Sequence, residues 1–158
     1  MGVNETLAAD FELERARKQA LDRLKEELAQ KAAQFLKDSD SKPQKMGDKQ
    51  IRNLVALAQM AATPLEIKAF IDYQMGRDEK EENWRCKIGG QPFGEALKKE
   101  IEEVEDLARK ERLGDKQFVL RCLAQFFGYL AWRVKYLECL KGKDRNKKNG
   151  GERRGGRR

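Results

Sequence analysis

The sequence predicts an all-α fold: a single-domain bundle of about five helices followed by a disordered basic tail. Three observations predict it. Charged residues make up 39% of the 158, and Lys and Glu are threaded through apolar runs that repeat every three or four residues, the period of a helix facing a core. Only three prolines occur, and no clear alternation of a half-buried strand is present. The final stretch, "GKDRNKKNGGERRGGRR", carries no apolar side chain, so it cannot enter a core. The length suffices for one domain with a real interior. It divides into residues 1–40 (an N-terminal helix and the start of a linker), 41–141 (a helical core) and 142–158 (the tail).

The first helix is predicted over about residues 5–37, with Leu21, Leu24, Leu28, Ala32 and Phe35 on one face. "KDSDSKPQKMG" reads as a linker from its Ser, Pro and Gly content. A second helix starts at Asp48, a residue type that caps free backbone N–H groups, and runs to about Ala62 over a stripe of Ile51, Leu54, Val55 and Ala58. "TPLE" at 63–66 is a start signal: Thr63 as N-cap, Pro64 at the first helical position, Glu66 as the returning carboxylate of a capping box. The third helix ends near Arg77 and buries Leu65, Ile67, Phe70 and Ile71. "DEKEENWRCKIGGQPFG" reads as a polar surface loop. The fourth helix, about 93–112, aligns Phe93, Leu97, Ile101, Val104 and Ala108, and Gly114 and Asp115 are expected to close it and cap the next. The fifth, about 115–140, has one stripe of Val119, Leu123, Phe126, Leu130, Val134 and Leu137. A second stripe holds Phe118, Cys122, Tyr129 and Tyr136, with Trp132 beside it, so this helix is either central to the bundle or shared with another chain.

Composition excludes several chemistries. There is no histidine, which removes Ser-His and Cys-His catalysis and His-ligated zinc. The three cysteines, Cys86, Cys122 and Cys139, lack metal-ligand spacing and read as reduced, structural and intracellular. No apolar run is long enough to span a bilayer, and the acidic start "MGVNETLAADFELER" lacks the order of a secretion signal. "MGVNET" fits the outline of a myristoylation site, but no second membrane signal accompanies it. A cytoplasmic protein without cofactor, metal or membrane is expected.

Net charge is +7, and it is banded: −2 over residues 1–40, +3 over 41–77, −3 over 78–112, +2 over 113–140 and +7 over 141–158. On a helix, Lys49, Arg52, Asn53 and Gln59 fall opposite the stripe of Ile51, Leu54, Val55 and Ala58, and Lys45 lies just before. Arg121 and Lys135, fourteen residues apart, share one line of the fifth helix bordered by Gln125, Gly128 and Trp132. A basic track beside an exposed aromatic suits a nucleic-acid backbone with base stacking. Arg133 projects close to the apolar stripe, which points to a half-buried ion pair. "EALKKEIEEVED" reads as a solvated face, with Lys98 and Lys99 paired to nearby acids at helical spacing. "RRGGRR" suits loose binding of anions and RNA.

Three short motifs, in order, resemble a known family. "QIRNLV" at 50–55, "YQMGR" at 73–77 and "FFGYLAWRVKYLECLKGKD" at 126–144 are similar to the Q-I-R, Tyr-x-x-Gly-Arg and last-helix signatures of the small subunit of the type III-A CRISPR effector, the Csm complex. The resemblance covers about residues 48–144. The long first helix and the basic tail are not hallmarks of the family, and Val134 stands where the family often has a polar residue. The resemblance implies a non-catalytic helical bundle that stacks with copies of itself and with the other Csm subunits and holds guide and target RNA by sequence-independent backbone contacts. Carried over by position, Arg52 and Arg77 become RNA-facing or structural arginines, the alternative for the Gly76–Arg77 pair being to brace the bundle, since a glycine at a helix end permits close packing, and Lys135 and Lys141 match the last-helix pattern. The expected RNA-binding set is therefore Lys45, Lys49, Arg52, Arg77, Arg121, Lys135 and Lys141. Two rivals follow from the residues alone. One is a helical scaffold whose tail alone binds RNA or other anions. The other is a metal-dependent nuclease using the acids of the fourth helix, Glu103 among them, which needs converging carboxylates and an open coordination position.

Overall fold

The computed structural model describes the backbone of residues 2–113 and 116–151, with side chains through residue 142. The chain forms α1 (Val3–Phe35), a short 3₁₀ turn (Ser39–Ser41), α2 (Asp48–Met60), α3 (Pro64–Arg77), a small hairpin of β1 (Lys87–Ile88) and β2 (Gln91–Pro92), α4 (Phe93–Arg109) and α5 (Lys116–Gly151). This is the expected all-α bundle, with α5 in contact with α1, α2, α3 and α4. Gly114 and Asp115 lie outside the described residues. α5 continues as helical backbone to Gly151, past the end expected near residue 140. The tail expected to be disordered falls mostly on side chains and residues outside those described.

The core follows the predicted stripes. Leu24, Leu28 and Ala32 of α1, Ile51, Leu54 and Ala58 of α2, all five apolar positions of α4 and all six of the first α5 stripe are buried. Ala20 begins the buried part of α1; none of residues 3–19 is buried. Leu65 departs from expectation and is 70% exposed. It stands one residue after Pro64, on the opposite side of the first turn from Ile67 and Ile71, which take the interior.

Local starts and stops differ in detail. Asp48 does not cap α2. Gly47 occupies that position, its N–H donates to Gln50 Oε1 at 3.0 Å, and the Asp48 carboxylate turns to Arg52 one helical turn on. Thr63 and Pro64 stand at the expected cap and first positions, but the Thr63 side chain makes no cap hydrogen bond, and Glu66 accepts from the Ala62 N–H at 3.0 Å rather than from Thr63. α1 ends against Arg133, whose guanidinium donates to the Leu36 and Lys37 carbonyls, each at 2.7 Å. Those carbonyls have no partner within the helix, so the half-buried Arg133 pairs with a helix end and not with the carboxylate expected.

The polar excursion is more ordered than its composition suggests. Lys87 and Ile88 pair antiparallel with Pro92 and Gln91, and Gly89 and Gly90 form the two-residue turn with φ of 61° and 85°. Both central positions of such a turn need positive φ, which glycine supplies without strain. Asp78 organises the preceding loop by accepting the N–H groups of Glu82, Asn83 and Arg85. Those bonds hold its carboxyl below the ordinary range although burial opposes them. Trp84, read as a loop residue, is buried against Phe93 with ring centroids 6.3 Å apart.

Candidate nucleic-acid interface

The placement of the cations depends on how α2 lies on α5. A Cβ on Gly47 would meet Glu138 Oε1 at 3.1 Å, so the start of α2 faces the 138 region of α5. Gln59, at the far end of α2, lines a groove with Gln117, Arg121 and Gln125. The two helices therefore run antiparallel. Lys45, Lys49 and Arg52 sit at the same end of the pair as Lys135, whereas Arg121 sits at the other end.

Arg77 joins the first group. It closes α3 and lines a polar pocket of about 200 Å³ together with Gln50, Gln74, Asp78, Asn83 and Trp84. "QIR" and "YQMGR", remote in sequence, thus meet across this pocket. The Asn83 side-chain oxygen there is buried without a hydrogen-bond partner, while Gln50 Oε1 is spent on Gly47. Lys141 also falls at this end, close enough to Lys42 to add to the lowering of its pKa that burial causes first. Six of the seven expected residues converge on the end of the bundle where α2 begins, α3 ends and α5 approaches residue 141.

Their availability differs. Lys45, Lys49 and Arg77 are exposed and form no ion pair among the described residues. The Arg77 guanidinium lies over the Tyr73 ring, 5.4 Å from its centroid, a contact that leaves its charge unneutralised. Arg52 is 65% exposed but pairs with Asp48 at 2.6 Å. A single i,i+4 pair in water contributes about 0.3–0.5 kcal/mol, little enough for a phosphate to replace it. Lys135 is exposed and only 4.0 Å from Glu138.

Arg121 and Lys141 depart from the expected picture. Arg121 bonds Glu14 of α1 at 2.9 Å, and this bond, with a second from Arg17, holds the Glu14 carboxyl below its ordinary pKa. It clamps α1 to α5 at the remote end. The Lys141 ammonium is buried and has no hydrogen-bond partner, so it is not presented to a ligand in this conformation. Gly76 has nothing within 4 Å of where a Cβ would stand, so it does not brace the bundle. That role belongs to Gly94.

The remaining groups are structural. Lys98 bonds Asp72 across α3 and α4 at 2.6 Å and lies 3.1 Å from Glu95. Lys99 bonds the Gln91 side chain instead of an acid. Glu105 is buried between Lys68 at 2.8 Å and Arg109 at 2.9 Å; the Lys68 contact is an ion pair without hydrogen-bond geometry. Glu103 bonds Lys31 of α1 at 2.7 Å. Among the described residues, no three Asp, Glu, Cys or His side chains converge as a metal site would require. Trp132 is 71% exposed and meets Tyr129 edge-on at 5.6 Å between centroids. No helix among the described residues is long and apolar enough to cross a membrane.

Comparison with protein-family models, curated proteins and solved structures finds no match for this chain.

Proposed function

We propose that this chain is a non-catalytic, cytoplasmic RNA-binding subunit of a type III-A CRISPR ribonucleoprotein, holding guide and target RNA beside the other Csm subunits through backbone contacts. One observation carries the reading: exposed cations from three separate helices and a linker gather at one end of the bundle. Lys45, Lys49 and Arg52 come from α2 and its approach, Arg77 from α3 and Lys135 from α5. Such a set follows a phosphate backbone without reading bases, since its donors are point charges and forks with no fixed partner at a base edge. Gln50 and Arg77, the residues that carry two of the family-like motifs, face one pocket there.

Binding of single-stranded RNA should weaken steeply with salt, because counterions released from the phosphates supply much of the affinity. The measurement is a salt titration of RNA affinity for the full chain, a Lys49→Ala/Arg52→Ala variant and an Arg77→Ala variant. Each lost phosphate contact should lower the slope of log affinity against log salt by about 0.7 for a single strand. An unchanged slope in both variants removes this end of the bundle from the account. Retention of RNA by the assembled complex extends the test to conditions where a single subunit binds weakly.

A helical scaffold is the second reading, and exposed apolar side chains on α1 and α5 favour it. Truncation after Lys141 separates the two. If all RNA binding leaves with the tail, the scaffold reading holds and the bundle itself contacts protein only.

A further inference from the structure

A pocket of about 350 Å³ opens where α3 starts, α4 ends and α5 starts. Lys68 of α3 meets Glu105 of α4, and Asp72 meets Lys98, so these two helices run antiparallel. The pocket and Arg77 therefore lie at opposite ends of α3. Four of the lining residues, Pro64, Ala108, Phe118 and Val119, are apolar and buried, and they form the floor. The other three, Arg109, Arg112 and Lys116, are exposed cations around the mouth.

The three cations are not equivalent. Arg109 is held by Glu105 at 2.9 Å and lies 3.7 Å from Asp106. Arg112 and Lys116 form no ion pair among the described residues. Arg112 carries a second signal. Its φ is 52°, in the left-handed region where the end of a helix ordinarily takes glycine. A side chain there strains the backbone, and glycine would relax it. The Arg112 N–H donates to the Arg109 carbonyl at 3.1 Å, a bond that glycine would make equally well. What arginine adds is a guanidinium at the edge of the pocket. The lining also restricts the ligand. Its side chains offer charge and N–H donors but no acceptor. A ligand with donors of its own, such as a purine base, would leave them unpaired against the apolar floor. The matching ligand has an anionic head, whose oxygens accept, and an apolar body. The volume stands at the small end of ligand pockets, which suits one ring or a short chain.

We propose that this pocket binds a small organic anion, a phosphate monoester or carboxylate carried on one aromatic ring or short alkyl chain. Arg112 and Lys116 hold the head through charge-assisted hydrogen bonds, and Ala108, Phe118 and Val119 cover the body. The site goes beyond the RNA reading given above and shares no residue with it, so either can fail without the other.

The test is saturation-transfer NMR on the nuclease-treated full chain, with phenyl phosphate and phenylacetate titrated into the millimolar range. The ring protons of at least one probe should receive saturation, and neutral benzyl alcohol should receive none. Inorganic phosphate should displace the bound probe only at a concentration roughly tenfold higher or more, because it leaves the apolar floor uncovered. Arg112→Gly and Lys116→Ala should each weaken binding by roughly tenfold or more, the effect of losing a hydrogen bond to a charged group. A thermal melt of Arg112→Gly should lie at or above that of the native chain, since glycine relieves the positive φ, so its loss of binding is not a loss of fold. Its affinity for single-stranded RNA should be unchanged. Absence of transfer to both probes overturns the proposal. So does displacement by inorganic phosphate at equal concentration, which would mean loose attraction of any anion. An Arg112→Gly variant that loses RNA affinity along with the probe also overturns it, because the cations would then be a second RNA contact.

Discussion

Single side chains in this protein owe their chemistry to what covers them. Cys122 is fully buried among helices, and burial pushes its thiol up to about 12, so at neutral pH almost none of it is the reactive thiolate. Cys139 is exposed and Cys86 half-buried. A thiol reagent followed by mass spectrometry should therefore modify Cys139 first and Cys86 more slowly, reaching Cys122 only in denaturant. Lys42 is buried as well, its ammonium donating to the Pro43 carbonyl at 3.2 Å and the Met46 carbonyl at 2.8 Å. Burial lowers its pKa; Glu138 works against that and Lys141 adds to it. With the folded value below the ordinary one, the unfolded chain binds more protons between the two, so stability rises with pH across that alkaline window. Denaturant melts of the protein and of Lys42→Met over a pH series should show their stability difference moving in favour of the native lysine as pH rises. A flat difference would mean that Lys42 titrates as an ordinary lysine.

At the scale of the helices, the close approaches are made by small residues. Gly94, in the first turn of α4, would place a Cβ 2.6 Å from Met75 Sδ and 3.1 Å from an Ile71 methyl of α3. Gly94→Ala should destabilise the protein by about 1–3 kcal/mol through overpacking, and Met75→Ala in the same chain should recover part of the loss, as read by urea melts. The contrasting site is Gly76, exposed in the last turn of α3 with open space around it. Gly76→Ala should leave stability unchanged or raise it by up to about 1 kcal/mol, since alanine favours helix and restricts the unfolded chain. Both glycines stand in plain view in the sequence. The period of either helix alone does not tell which of them touches another helix, because that depends on where α3 and α4 cross.

For the whole molecule, the distribution of buried surface separates a core from an arm. Leu28→Ala, at the centre of the α1 contact, should cost about 2–5 kcal/mol. Deletion of residues 2–13 should change stability by less than about 1 kcal/mol, because it removes no buried side chain and leaves the Glu14–Arg121 clamp in place. Thermal melts of the two variants compare these directly. Equal losses would mean that the arm packs on its own bundle.

The sequence by itself determined the helices, their order and the side each one buries. The stripes of α4 and the first stripe of α5 are buried as predicted because apolar period is a local property of a chain that must cover its own backbone. It also determined the banding of charge. Tertiary structure decided which charges stand together: Arg77 beside Gln50, Arg121 held by Glu14 at the far end, the Lys141 ammonium covered. It decided as well that Trp84 is buried while Leu65 is not. The grouping of charges rests on the antiparallel packing of α2 on α5 and on the course of α1 along α5, and the cover of Trp84 rests on Phe93 of α4. Such long-range contacts are fixed by the fit of side chains between helices, and helical periodicity within one segment holds no record of its neighbour's position.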